Sequence, residues 1–427
     1  MLDLRRIREE PEVVRSLLAR RGKPEVLEQV DAVLALDAER RSLIGQVDAL
    51  RAQRNEASAR VAELKRAGRH DEAERVIAQV RQLSERLGEL EARLAEAEEG
   101  VRGLLLQIPN LPEPDVPPGG EEANQVIREW GEARSFDFEP RPHWELGEAL
   151  GILDLPRGAK VAGSGFPLFV GMGARLERAL IDFMLDLHTR EHGYTEVWPP
   201  YLINAQAALG TGHLPKFGDD MYLVESDGLY LVPTAEVPLT NLHSGELLGP
   251  DALPIRYVAY TPCFRREAGA HGKETRGLVR VHQFDKVELV RFERPEASRD
   301  ALEELTRHAE EVLRRLGLRY RVVQLAGGEL GFANAMTYDL EVWAPGLGRW
   351  LEVSSCSLYT DYQARRANIR FRPEAGARPE FVHTLNGSAL ALPRTVVALL
   401  ETYQEADGTI RVPEALADRL GTDRIGR

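Results

Sequence analysis

From residue 43 onward the apolar positions keep a rhythm of four and three. Leu43, Val47, Leu50, Arg54, Ala57, Val61 and Leu64 make the first series. Val76, Val80, Leu83, Leu87, Leu90, Leu94, Ala97, Val101 and Leu104 make the second. The spacing averages 3.5 residues, the seam of a coiled coil. Arg66-Ala67-Gly68-Arg69-His70-Asp71 interrupts it, with a glycine and with Asp71 as a candidate cap, and predicts a turn. Two long helices joined so tightly fold back antiparallel. Arms of about 30 residues would each reach about 45 Å. The alternative, a parallel dimerisation rod, would carry its rhythm past Gly68. Residues 1–25 read as a short helical lead-in that ends near Gly22 and Pro24.

Gln107 to Gly120 is rich in proline and reads as a stiff, helix-breaking linker. Beyond it the pattern changes. Residues 174–191 repeat Leu176, Leu180, Phe183, Met184 and Leu187 at helical spacing. Strand signals follow at 193–200, 228–233, 257–264, 279–289, 320–325, 337–343 and 349–354. Short antiparallel-type strands with flanking helices indicate an α+β domain. The expected organisation is a helical domain over 1–106, with a hairpin arm at about 27–104 and its tip near 66–71, a linker over 107–120 and a mixed domain over 121–427.

Composition narrows the picture only a little. A chain of 427 residues can bury a large core, and no apolar run is long enough for a membrane span. Met1-Leu2-Asp3-Leu4-Arg5-Arg6 lacks the apolar core of a signal peptide. Two cysteines, Cys263 and Cys356, fit a reducing cytoplasm. A net charge of −13 argues against indiscriminate coating of nucleic acid. It leaves room for a local basic surface, and Arg51, Arg54, Arg60, Lys65, Arg66 and Arg69 on the outgoing helix and tip would suit a polyanion's backbone.

The densest chemistry lies in Phe264-Arg265-Arg266-Glu267 and in His282-Gln283-Phe284-Asp285-Lys286-Val287-Glu288. These read as two strands around a polar, Gly-rich loop. Strand alternation puts Arg265 and Glu267 on one face. A guanidinium fork suits phosphate or carboxylate, a carboxylate accepts from an exocyclic amine, and Phe284 offers a ring for stacking. The bland alternative is a surface hairpin with an ion pair. Three further clusters are Thr234-Ala235-Glu236, Leu351 to Cys356, and Thr384 to Arg394, the last read as a glycine turn entering a helix. Glu352 suits a hard cation such as Mg²⁺. Gly272-Lys273 fails as a phosphate loop because Glu267 stands where glycine is needed. Gly171-Met172-Gly173 lacks the third glycine of a dinucleotide fingerprint. Cys263 with His271 or His282 makes no zinc pattern, and no Gly-x-Ser-x-Gly elbow occurs.

Taken together, these stretches resemble a known family. The strand ending at Pro200, the Phe-Arg-x-Glu hairpin and the Gly-Ser-Ala…Arg394 segment look like the three signature motifs of class II aminoacyl-tRNA synthetases. The helical hairpin ahead of them narrows the resemblance to bacterial-type seryl-tRNA synthetases, across essentially the whole chain. His143-Trp144-Glu145-Leu146-Gly147, Leu214-Pro215-Lys216-Phe217, Arg280-Val281-His282-Gln283-Phe284 and Asp361-Tyr362-Gln363-Ala364-Arg365-Arg366 support it. It implies an antiparallel catalytic sheet flanked by helices. Serine would be activated by ATP to seryl adenylate, then passed to the 3′ end of tRNA-Ser, and to the selenocysteine tRNA where one exists.

The resemblance also implies roles. Arg265 and Arg394 would be catalytic, Arg265 at the α-phosphate and the serine carboxylate, Arg394 at the γ-phosphate. Arg266, Glu267, Arg280, Val281, Phe284, Glu352, Val353, Ser354 and Ser355 would complete the ATP site, with adenine between Phe284 and Arg394. Thr234, Ala235, Glu236, Glu288, Asn386 and Ser388 would hold serine with Arg265. Glu352 and Ser355 would carry Mg²⁺, and no zinc is expected. The arm would embrace the long variable arm of tRNA-Ser. A cytoplasmic homodimer with Pro200 at its interface is implied, and no membrane. The chain departs from the family at Ser357-Leu358-Tyr359-Thr360, at Pro393, where glycine is commoner, and at Gly165, where arginine is commoner. Two rival readings are a paralogue that activates an amino acid for a carrier protein, disfavoured by the arm, and a non-catalytic coiled-coil protein, disfavoured by the joint presence of Arg265, Glu267, Glu288, Glu352 and Arg394.

Overall fold

The computed structural model describes residues 1–268 and 276–426, so Gly272-Lys273 and His271 lie outside the described residues. The chain divides into two compact units, one of Leu2–Ser16 with Lys23–Pro109, the other of Met1, Leu17–Gly22 and Asn110–Arg427.

The first unit is helical. Short helices α1 (Leu4–Glu9) and α2 (Pro11–Ala19) precede two long ones, α3 (Glu25–Arg66) and α4 (His70–Gln107), which pack against each other along the arm. Leu43, Val47, Leu87, Leu90 and Ala97 close the seam, with Leu36, Leu50 and Leu94 against them. Opposed series of this kind bury only one stripe of each helix, which is why the heptads are readable. Gly68 makes the turn at φ 72°. Asp71 does not cap α4. Arg69 holds that position, and Asp71 lies inside the first turn, where its charge faces the positive end of the helix.

The second unit is built on an eight-stranded sheet. In chain order its strands are β1 (Gln125–Trp130), β2 (Thr195–Glu196), β3 (Ile255–Phe264), β4 (Gln283–Glu293), β5 (Tyr320–Gln324), β6 (Met336–Ala344), β7 (Arg349–Thr360) and β8 (His383–Ala391). Their spatial order is β1-β5-β6-β7-β8-β4-β3-β2. All pairs are antiparallel except β2 with β3. Helices α5 (Met172–Arg190), α6 (Ser298–Arg315) and α7 (Leu392–Tyr403) add Leu180, Leu305 and Val397 to the same core as Val287, Leu340 and Leu385.

Four local features differ from the sequence reading. The strand expected over 193–200 forms only at Thr195–Glu196. The one expected over 279–289 starts at Gln283, and the one expected over 349–354 runs on to Thr360. The segment before Arg394 is a central strand, not a glycine turn. A Cβ on Gly387 would lie 2.4 Å from Leu305 Cδ2 and 2.8 Å from Cys356 Sγ. Glycine there lets α6 and β7 approach β8 and has no turn to make. No described helix is long and apolar enough to cross a membrane.

Candidate active site

A cavity of about 560 Å³ opens on the face of the sheet opposite α6. Its floor comes from strand alternation: Phe284, Lys286 and Glu288 on β4 all line it, while Val287 and Leu289, on either side of Glu288, turn into the core. On β7 the alternation is broken on purpose. Glu352 pairs with Glu341 and Ser354 with Leu340, which leaves Val353 as an extra residue. Residues three apart on a regular strand face opposite ways. The bulge lets Glu352 and Ser355 share one wall. Another skip, at Ala389 on β8, does the same for Ser388 and Ala391.

One end of the cavity is a buried acidic seat. The Glu236 carboxylate accepts from Gln363 Nε2 at 2.7 Å and Asn386 Nδ2 at 3.0 Å. Glu288 accepts from the same Asn386 Nδ2 at 2.8 Å, is approached by Thr234 and Ser388 hydroxyls at 3.4 Å, and pairs with Lys286. Lys286 Nζ also donates to Thr234 Oγ1 at 2.8 Å. Burial pushes both carboxyls above the ordinary range, and the Lys286 ammonium opposes it. Burial, with Arg265 and Lys286 nearby, lowers His213 on the same wall to about 3, so its imidazole is neutral.

The same cavity carries the guanidinium groups of Arg265 and Arg394. Arg265 donates from Nε to Pro233 O at 3.3 Å and lies 5.1 Å over the Phe284 ring. Arg394 donates to Val279 O at 3.0 Å and Glu352 O at 2.8 Å, with the Glu352 carboxylate 3.4 Å away. Arg394 is the third residue of α7, with Pro393 ahead of it in the first turn, where proline costs no hydrogen bond. Burial, then neighbouring Glu352, raises the Asp339 carboxyl well above its usual range, and Ser355 Oγ donates to it.

Most of the expected residues meet here: Arg265, Glu267, Arg280, Val281, Phe284, Glu352, Val353, Ser355, Arg394, Thr234, Glu236, Glu288, Asn386 and Ser388 all line the cavity. Three do not. Arg266 is exposed, Ser354 turns inward to donate to Ser388 O at 2.6 Å, and Ala235 is buried at the start of a helix. Arg265 and Glu267 share the cavity, but not by alternation. β3 stops at Phe264, and Glu267 sits at φ 52°, paired with Arg280. The Arg265 guanidinium lies over the face of Phe284. Missed from sequence were Lys286, His213, Asp339, Tyr359 and Gln363. Lys286 alone carried a readable signal, since it falls between Phe284 and Glu288 in the alternation.

Among the described residues no three His, Cys, Asp or Glu side chains gather as a metal cage. Glu352, Asp339 and the Ser355 hydroxyl form a small set of hard oxygen donors, and the crowding of two carboxylates fits a divalent cation that keeps its waters and phosphate ligands. On the arm, Arg51, Arg60, Lys65, Arg66 and Arg69 are all exposed and Arg54 is half-buried, with Arg51 paired to Glu91 at 2.7 Å and Arg69 to Glu72. Pro200 is exposed, next to Trp198 at 71%.

The N-terminal residues 1–112 match the model of the seryl-tRNA synthetase N-terminal domain, and residues 222–403 match the class II synthetase core domain of the G, H, P, S and T enzymes. The serine–tRNA ligase of Thermomicrobium roseum is 54% identical over all of this chain and 95% of its own length. That of Thermodesulfovibrio yellowstonii is 54% identical over the full length of both. The crystal structure of seryl-tRNA synthetase from Pyrococcus horikoshii complexed with ATP superposes with a TM-score of 0.95 at 40% identity, covering 100% of this chain and 99% of that one. Identity sustained at this level from end to end means that the chain belongs to the seryl-tRNA synthetase family, the class II ligases that join serine to tRNA.

Proposed function

We propose that this cavity activates serine, with the amino acid on the acidic seat and ATP at the guanidinium groups. The observation that carries the reading is the division of a single cavity into two buried carboxylates, Glu236 and Glu288, and two guanidinium groups, Arg265 and Arg394. An ammonium with a neighbouring hydroxyl fits the first, beside Thr234, Asn386 and Ser388. A triphosphate fits the second. The serine carboxylate attacks the α-phosphorus in line, pyrophosphate leaves, and seryl adenylate remains. The terminal ribose hydroxyl of tRNA then attacks the seryl carbonyl, the acyl–phosphate bond breaks and AMP leaves. Arg265 bridges the carboxylate and the α-phosphate, and Arg394 meets the γ-phosphate. Both neutralise charge that builds during displacement, and no protein nucleophile is needed. Adenine stacks on Phe284 once Arg265 swings to the phosphates, and its amine donates to Glu267. Glu352, Asp339 and Ser355 would hold Mg²⁺, which supplies further charge neutralisation on the phosphates when bound.

In this reading Arg60, Lys65 and Arg66 near the arm's tip meet the backbone of the variable arm of tRNA-Ser. A second copy of the chain covers Trp198 and Pro200. Both cysteines are free and buried, in keeping with a cytoplasmic enzyme. Pyrophosphate exchange across a panel of amino acids tests the core of the proposal. Serine alone should support exchange, with or without tRNA. Exchange driven better by another amino acid would overturn it.

A further inference from the structure

We propose that Arg21 is a positioning residue for the serine end of the cavity, acting through Asn110, Tyr359 and Asn386. The inference rests on the serine seat described above and extends it to a side chain from the N-terminal part of the sequence.

Arg21 follows α2 and is 3% exposed. Its bonds run to carbonyl oxygens: Nε to Asn110 at 2.8 Å, Nη1 to Leu330 and Gly331 at 3.1 and 3.2 Å, and Nη2 to Asn334 at 2.6 Å. Gly331 and Asn334 line the cavity, so the fork grips its wall from behind. Burial lowers the guanidinium to about 10, and it stays charged at neutral pH. The close approach needs glycine, because a Cβ on Gly327 would lie 2.3 Å from Arg20 O.

Asn110, whose carbonyl Arg21 holds, continues the path. Its Nδ2 donates to Ala333 O at 3.0 Å and to Tyr359 O at 2.7 Å. That second carbonyl sits at an irregularity of β7, where the pairing passes from Leu358 to Thr360 and Thr360 adopts φ 51°. A β-branched residue keeps that backbone only where its surroundings impose it. Here Thr360 Oγ1 donates back to Tyr359 O at 2.6 Å, and Asn110 holds the same oxygen. The backbone so fixed aims the Tyr359 hydroxyl at Asn386 Oδ1, 2.6 Å away. An amide that accepts on its oxygen must turn its NH₂ the other way. That NH₂ reaches both Glu236 and Glu288. Each link therefore donates toward the two carboxylates, and the path ends at the serine seat, away from Arg394 and Glu352.

The test is pyrophosphate exchange by the full chain, reading KM for serine and KM for ATP separately. Arg21→Met and Asn110→Ser should each raise KM for serine about tenfold, the loss of one hydrogen bond to a charged group, and leave KM for ATP unchanged. Arg21→Lys, which keeps the charge and three donors, should fall between wild type and Arg21→Met. Folded variants in which neither KM moves, or both move together, overturn the proposal. If Arg21→Met does not fold, Asn110→Ser and Arg21→Lys decide by the same criterion. Glu288→Gln is run beside them. If it leaves serine binding intact, the seat itself is wrong; if it weakens serine while the other variants do not, only the Arg21 path falls.

Discussion

Glu236→Gln should separate substrate recognition from stability. Glu236 is 7% exposed, and each carboxylate oxygen accepts one amide N–H, from Gln363 and from Asn386. A glutamine must point its own NH₂ at one of those donors, which loses a hydrogen bond worth about 1–3 kcal/mol. Relief from burying a charge in that seat is of similar size and opposite sign. The net effect on the empty protein should be near zero, a shift of no more than about 4 °C in Tm. Serine loses more. Its ammonium would meet a neutral amide in place of a carboxylate, and a bond to a charged partner is worth about 1.5–3 kcal/mol, so KM for serine should rise about 10- to 150-fold. KM for ATP should hold.

The pH dependence supplies an independent check. Burial raises the Glu236 and Glu288 carboxyls. Such groups stabilise the empty protein below their unfolded value, and that contribution is lost as pH climbs through the folded value. Serine's ammonium favours the ionised forms, so its protection in a thermal melt should grow across the same window. Glu236→Gln should flatten that rise. A folded variant with wild-type KM for serine and an unaltered serine-dependent pH profile would refute the reasoning.

Three further outcomes are expected. Arg265→Ala should cut pyrophosphate exchange by about 10²–10³ while circular dichroism and Tm stay close to wild type, as for loss of one donor to a developing charge. Deleting about residues 45–95 should spare pyrophosphate exchange but cripple tRNA charging, because basic contacts to the phosphate backbone dominate such binding; equal survival of both activities would remove the arm from tRNA recognition. Gly387→Ala should cost about 1–3 kcal/mol in thermal or urea unfolding by overpacking against Leu305 and Cys356.

What the sequence made legible, and what it hid, follows from how far each feature reaches along the chain. The arm was readable because a heptad seam is a local repeat: Leu43, Val47, Leu87 and Leu90 need only the facing helix to explain them. The long alternating strands were readable for the same reason, and Lys286 lay within reach of that reading, two residues from both Phe284 and Glu288. The bulge at Val353 was not. It is set by pairing with Leu340 and Glu341 on another strand, yet it decides that Glu352 and Ser355 face one cavity. Asp339 joins that pair only through the same cross-strand register, where it stands opposite Ser355. Arg21 lies further still from any local signal, since its partners are 89 to 313 residues away. Motif residues line the cavity and stand out by type and spacing. The groups behind them, Arg21 and Asn110, act through main-chain oxygens, which every residue carries. A side chain that binds carbonyls leaves no complementary residue type to search for, so the supporting frame of a polar site is inherently harder to read than the site.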